Sequence, residues 1–308
     1  VKILSVNKPG GDRGPAIGYM NHLKALSSCG FEIQELTQEI WNDEKSLRKF
    51  DVAWAYVRFH PQILERCKNL GLLFVGGPNI VMERADVGIV DEWEKWYLEN
   101  SRVDVNVNVA DYYTDHVRKF SRGNCKFKTL EYCYEMDLGK WIPSKKSVDV
   151  TVYVKDRIND GGISKIAEEY CSLLKRQGLK YQILTYGNYN RDDYIKACTN
   201  SRITAWFSIE DYCSLAQIES HYAGSAVIGT PYNLTIPIND DMLCRSSQDM
   251  TESWIKWRKS EEVSRDYFNT TLRVLSQDNL VNETIKSCKL RHGYDYYRQK
   301  VVNILSNE

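Results

Sequence analysis

Apolar positions fall in short runs separated by longer amphipathic stretches. The chain opens on Val1-Lys2-Ile3-Leu4-Ser5-Val6-Asn7, which the turn at Pro9–Pro15 bounds as a short buried strand. Ile17, Met20, Leu23 and Leu26 then recur at spacings of three and predict a helix ending at Cys29-Gly30. Phe31-Glu32-Ile33 predicts a second strand at once. Strand, glycine turn, helix, glycine, strand is the opening of an open α/β sheet. Further strands are predicted over 51–57, 72–75, 103–109 and 127–130, and helices over 61–69 and 111–120.

The periodicity breaks over 137–147, a mixture of Gly, Pro, Ser and Lys that reads as a linker. The alternation then restarts. Strands are predicted at 148–154, 181–185, 203–208 and 226–229, with helices at 164–177, 192–199 and 214–223 between them. From Gln248 onward the chain reads as helical and is rich in Trp254, Trp257, Tyr294, Tyr296 and Tyr297. Two βαβ-type halves in series predict an α/β protein of two Rossmann-like domains facing a cleft. They divide as 1–147 and 148–308, and the terminal helices are free to pack back on the first domain. A length of 308 residues suits two domains. No repeat of 20–50 residues joins the halves, which share topology and not sequence.

Charge narrows the partners. Residues 1–147 carry 21 basic and 20 acidic side chains and residues 148–308 carry 20 and 21, so neither half is an electrostatic magnet. That argues against nucleic acid or a polybasic membrane anchor as the main partner. No apolar run approaches the roughly 20 residues of a spanning helix, and no transmembrane or signal segment is expected. Nine scattered Cys without a CxxC or a zinc spacing read as reduced, mostly buried thiols, and a cytoplasmic location follows.

Ligands of open α/β sheets bind outside the carboxyl ends of the strands, which singles out three loops. Gly10-Gly11-Asp12-Arg13-Gly14 would let backbone N–H groups approach an anion, but matches neither GxGxxG nor the Walker pattern, and a structural turn reads equally well. Lys155-Asp156-Arg157 sets two cations at a strand end, suited to a diphosphate or to simple solvation. Ser208 to Glu219 is the richest. Asp211 lies in a loop, Glu219 two helical turns on, and the N–H groups of Cys213, Ser214 and Leu215 open the helix between them as an anion site. Helix capping by Asp211 with a surface Glu219 is the plain alternative. His60, before Pro61, ends the third strand, while His22 and His116 fall on predicted helices as surface or core residues.

The stretch Asp211–Ile228 resembles the donor-binding signature of GT-B glycosyltransferases, especially the retaining group called family 4, whose E-x7-E motif runs on into EAxAxGxPVI. Glu219-Ser220-His221-Tyr222-Ala223-Gly224-Ser225-Ala226-Val227-Ile228 keeps that register without a gap. Tyr134-Glu135-Met136-Asp137 to Trp141-Ile142-Pro143 is similar to the family's interdomain linker, and Tyr186-Gly187-Asn188-Tyr189 to a YGxY segment of compact viral and microbial transferases. The departures are Asp211 for the first motif Glu, Ser214 for a Gly and Ala226 for a Pro.

The resemblance implies transfer of a hexose or pentose from a UDP- or GDP-linked donor to a glycan or small hydroxyl acceptor, with retention and without a metal or other cofactor. It assigns Lys155, Arg157 and the amides of Ser214 and Leu215 to the diphosphate, Glu219 to the ribose and Asp211 to the transferred sugar. Tyr186 and Gly187 then lie near the base, the Gly10–Asp12 loop against the diphosphate, and His60 near the sugar or acceptor. For an inverting enzyme Asp12 or His60 is the candidate base. Two alternatives are a non-catalytic nucleotide- or glycan-binding module and a nucleotide-sugar 2-epimerase-like enzyme.

Overall fold

A computed structural model of the chain describes residues 1–6, 15–56, 59–78, 103–109, 111, 114–115, 118, 125–155, 162–208, 215–229 and 261–306. It divides into two compact units, Val1–Tyr134 with His292–Glu308, and Glu135–Arg291, so that 135–147 belongs with the second and the last helix with the first.

The first unit is built on a six-stranded sheet in which every pairing is parallel, in the order β2-β1-β3-β4-β5-β6. Its strands are β1 (Lys2–Val6), β2 (Glu32–Glu35), β3 (Val52–Ala55), β4 (Leu73–Gly76), β5 (Val105–Asn108) and β6 (Lys126–Thr129). Successive side chains alternate between two cores, as a strand buried on both faces requires. Leu4, Ala53, Ala55 and Phe74 enter one core, and Ile3, Val52, Trp54 and Val75 the other. The first core is closed by Ile40 of α2 (Gln38–Asn42), Leu47 of α3 (Glu44–Leu47) and Leu64 and Cys67 of α4 (Pro61–Asn69). The second is closed by Ala25 and Leu26 of α1 (Pro15–Ser28).

Helices α2 and α3 are not in the pattern of apolar spacing, because pieces of four or five residues are too short to show a period. Their starts are written instead in capping side chains. Thr37 accepts from the Ile40 N–H at 3.3 Å, and Asp43 from the Lys45 N–H at 3.1 Å.

The second unit carries a four-stranded parallel sheet of order β10-β9-β7-β8, with β7 (Val148–Lys155), β8 (Tyr181–Thr185), β9 (Ser201–Ser208) and β10 (Ala226–Ile228). On one face Val150, Val152, Ile203, Ala205 and Phe207 pack against α5 (Gly162–Arg176) and α8 (Glu261–Leu275). On the other, Tyr153, Trp206 and Val227 meet Tyr194 and Cys198 of α6 (Arg191–Asn200). Helix α7 (Leu215–Tyr222) leads into β10, and α9 (Leu280–His292) packs on the turn between them through Val281 and Ile285. In the first unit α10 (Tyr294–Leu305) lays Tyr297, Val301 and Ile304 into the core beside α1.

His22 is a core residue, 4% exposed, while His116 lies outside the described residues. Cys29, Cys67, Cys171, Cys198 and Cys288 are buried thiols, and desolvation pushes Cys67 and Cys171 up to about 11. No helix among the described residues is long and apolar enough to cross a membrane.

Candidate functional site

In the second unit β7 is followed by β8 on one side and by β9 on the other. Connections that leave in opposite directions open a crevice at the carboxyl ends of the two strands between them. Those ends are Lys155 and Ser208, paired directly in register and 6% and 1% exposed. Parallel pairing brings the end of β8 and the N-termini of α6 and α7 to the same edge.

Tyr186 follows β8. Its N–H donates to the Val154 carbonyl at 2.8 Å, its ring is 46% exposed, and the Lys155 ammonium lies 4.9 Å from the ring centroid. That is a cation–π distance. Gly187, at φ 90°, and the Asn188 N–H to Thr185 carbonyl bond of 3.0 Å close the turn. Tyr189 then returns to the sheet, its hydroxyl donating to that of Tyr153 at 3.1 Å. Tyr153 stacks on Trp206 at 3.9 Å between centroids. An exposed aromatic face above a buried lysine therefore stands on a rigid aromatic base.

Asn190 caps α6. Its side chain accepts from the Asp193 N–H at 2.9 Å, and the Asp193 carboxylate accepts from the Asn190 N–H at 3.3 Å. The next residue, Arg191, reaches across to α7, where its Nη2 lies 2.5 Å from Oε1 of Glu219. Glu219 is 5% exposed, so the surface-glutamate alternative does not hold. One turn further along α6 the Tyr194 hydroxyl donates to the Ala216 carbonyl at 2.5 Å. Burial holds the Tyr194 phenol well above its ordinary range, a trend that the nearby Cys198 and Glu219 reinforce.

Five of the residues singled out in the sequence, Lys155, Tyr186, Gly187, Leu215 and Glu219, share this edge. Gly10, Gly11, Asp12, Arg157, Asp211, Cys213 and Ser214 lie outside the described residues. His60 belongs to the first unit and caps α4, its Nδ1 accepting from the Gln62 N–H at 3.3 Å. Arg191 is the residue that sequence reasoning missed. Its one signal was its place beside a capping Asn at a helix start. Among the described residues no three His, Cys, Asp or Glu side chains gather as a metal site.

No family model and no curated protein matches the chain by sequence. Solved structures do match it along its length. Anabaena HepE in complex with UDP-glucose is similar over 100% of both chains, at a TM-score of 0.58 and 9% identity. An alpha-glucosyltransferase in complex with UDP and a 13-mer DNA containing a HMU base is similar over 99% of both, at 0.55 and 9%. Sucrose-phosphate synthase from Thermosynechococcus elongatus is similar over 99% of this chain and 98% of its own, at 0.53 and 10%. The architecture is thus that of the GT-B glycosyltransferases. The chain has the GT-B fold, two Rossmann-like units in one polypeptide, as the sequence resemblance implied.

Proposed function

We propose that this chain is a glycosyltransferase. It moves a sugar from a UDP- or GDP-linked donor to a glycan or small hydroxyl acceptor, with retention and without a metal. The observation that carries the reading is that buried Lys155, exposed Tyr186 and buried Glu219 lie on elements that meet at one sheet edge, where β7 and β9 end side by side. The fold likeness adds neighbours that hold UDP or UDP-glucose. One of them also holds DNA, so the expectation against a nucleic-acid acceptor rests on this chain's even charge alone.

In this reading the nucleoside diphosphate lies across the ends of β7 and β9. As the bond between the sugar carbon and the diphosphate oxygen breaks, negative charge grows on the departing nucleotide. The Lys155 ammonium, desolvated by its surroundings, stabilises that charge more strongly than it would in water. Arg157 and the amides of Ser214 and Leu215 add to it. Tyr186 offers its exposed face to the base, Gly187 lets the loop turn close by, and Glu219 accepts from the ribose hydroxyls. The resemblance further assigns Asp211 to the transferred sugar, the Gly10–Asp12 loop to the diphosphate, and His60 to the sugar or acceptor.

Thermal denaturation with UDP, GDP and their glucose conjugates tests the donor site. A ligand at 100 times its Kd raises stability by about 2.7 kcal/mol, and one base should do so selectively. Lys155→Ala should then lower donor turnover by about 10²–10³-fold while excess chelator leaves the wild-type rate intact. Nucleotide binding without turnover of any donor would favour the non-catalytic module, and chelator-abolished activity restored by a divalent cation would remove the metal-free mechanism.

A further inference from the structure

The Arg191–Glu219 pair is absent from the assignments above, and its setting is more ordered than a surface ion pair. Helix α6 starts at a reciprocal capping box, so the backbone of Arg191 is fixed by Asn190 before and Asp193 after it. A turn on, Tyr194 is tied to Ala216 of α7 and packs between Tyr189 and Tyr153, at 5.8 and 6.0 Å between ring centroids. At the far ends of the same helices the Lys146 ammonium donates to the Cys198 carbonyl at 3.2 Å and the Ala223 carbonyl at 2.7 Å. Helices α6 and α7 are therefore joined at several levels, and the guanidinium arrives at Glu219 from a pinned helix.

Chemistry gives that contact a purpose. A carboxylate as buried as Glu219 must be paired with a cation or take up a proton. A ribose diol brings only neutral hydroxyl donors and cannot supply the missing charge. An ionised carboxylate accepts from both hydroxyls of a diol, whereas a protonated one spends an oxygen as a donor. The acceptor therefore holds both hydroxyls of a diol most strongly when the protein keeps it ionised and aimed.

We infer that Arg191 is the positioning residue of the donor site. It holds Glu219 ionised and oriented, and so sets the discrimination between ribonucleotide and deoxyribonucleotide. The inference rests on the donor-site reading above. Arg191 itself touches neither the reacting bond nor the diphosphate in this scheme, and its effect passes through Glu219.

Calorimetric titration of the full chain with UDP, GDP and their 2′-deoxy forms tests it. The wild type should prefer the ribonucleotide roughly tenfold or more, the size of one hydrogen bond to a charged group. In Arg191→Met and Arg191→Gln that ratio should fall to about one, with deoxynucleotide affinity little changed. Glu219→Gln should do the same, and adding Arg191→Met to it should change nothing further, because the two act as one unit. A merely structural Arg191 would weaken both nucleotides equally and leave the ratio intact. Should Arg191→Met fail to fold, Arg191→Gln carries the same reading. Either variant keeping the wild-type ratio overturns the inference and leaves the donor site standing. Equal binding of the two forms by the wild type removes the ribose contact and the inference with it. A wild type that binds none of these nucleotides instead removes the donor-site reading itself.

Discussion

Gly224 combines a backbone and a packing requirement at one position. It stops α7 with φ at 70°, in the left-handed region that glycine enters freely. A Cβ there would also come within 2.7 Å of Val281 Cγ1 and 3.2 Å of Ile285 Cδ1, both on α9. Gly224→Ala joins left-handed strain of about 1–2 kcal/mol to overpacking of about 1–3 kcal/mol. Urea unfolding should show a loss of about 2–5 kcal/mol. The helix stop was readable from the sequence, since a Gly after an amphipathic run has few other meanings. Its second duty was not, because Val281 and Ile285 stand 57 and 61 residues away in the chain. His60 carries a related lesson: the Pro61 that follows it is itself a helix-start signal, so its capping role was written beside it. Glu219 was found through its spacing, but spacing says nothing of burial or of Arg191. An Arg after a capping Asn marks a helix start but no partner, and only the fold brings it to a carboxylate 28 residues on.

At the scale of elements the legible part is what periodicity can encode. Strands buried on both faces announce themselves as apolar runs, and α5 by its amphipathic stripe, so the described strands and the longer helices emerged in order with ends shifted by a residue or two. Helices α2 and α3 did not, and the helix expected over 111–120 falls largely outside the described residues. The segment 137–147 shows the limit. It was read as a linker, and it does hold only one short turn of helix, Gly139–Trp141. Yet Lys146, which beside Lys145 looks like a solvated charge, donates to carbonyls at the last turn of α6 and just past α7. A cation there meets the negative ends of two helix dipoles. Burial opposes it and pushes the Lys146 pKa down to about 7. Lys146→Met keeps much of the side chain's length and apolar contact but leaves both carbonyls without this donor. Equilibrium unfolding should show a loss of about 1.5–3 kcal/mol, the range for hydrogen bonds to a charged group. A loss under about half a kcal/mol, the size expected at an uninvolved surface position, would return Lys146 to the role of a solvated linker residue.

For the molecule as a whole, chain order and spatial order part company at the end. Helix α10 contributes Tyr297, Val301 and Ile304 to the first unit's core, so that unit is finished only by the last stretch of sequence. The closing contact is polar. The Tyr297 hydroxyl hydrogen-bonds Nδ1 of His22 on α1, 275 positions away in the chain, and the His22 ring packs edge-on to Trp54 at 4.9 Å. Burial lowers the His22 pKa from 6.5 to about 3, so the folded chain holds a neutral ring where the unfolded chain would protonate. Between those two values the unfolded state binds the extra proton, and stability must fall as the pH falls through the window. The first unit is thereby acid-sensitive through a buried residue that has no part in the proposed chemistry. His22→Gln removes the titration while keeping a side chain able to meet Tyr297. At pH 7 the variant should be the less stable, having lost ring packing. Below about 6.5 the wild type's advantage should shrink by roughly tenfold in the folding constant for each pH unit until about 3. Denaturant unfolding of both proteins at intervals from pH 7.5 to 4 reads that difference directly, since titrations common to the two cancel. Parallel curves would mean that His22 gains a proton without unfolding the α1–α10 contact, and that the closure of the first unit tolerates a charge in its core.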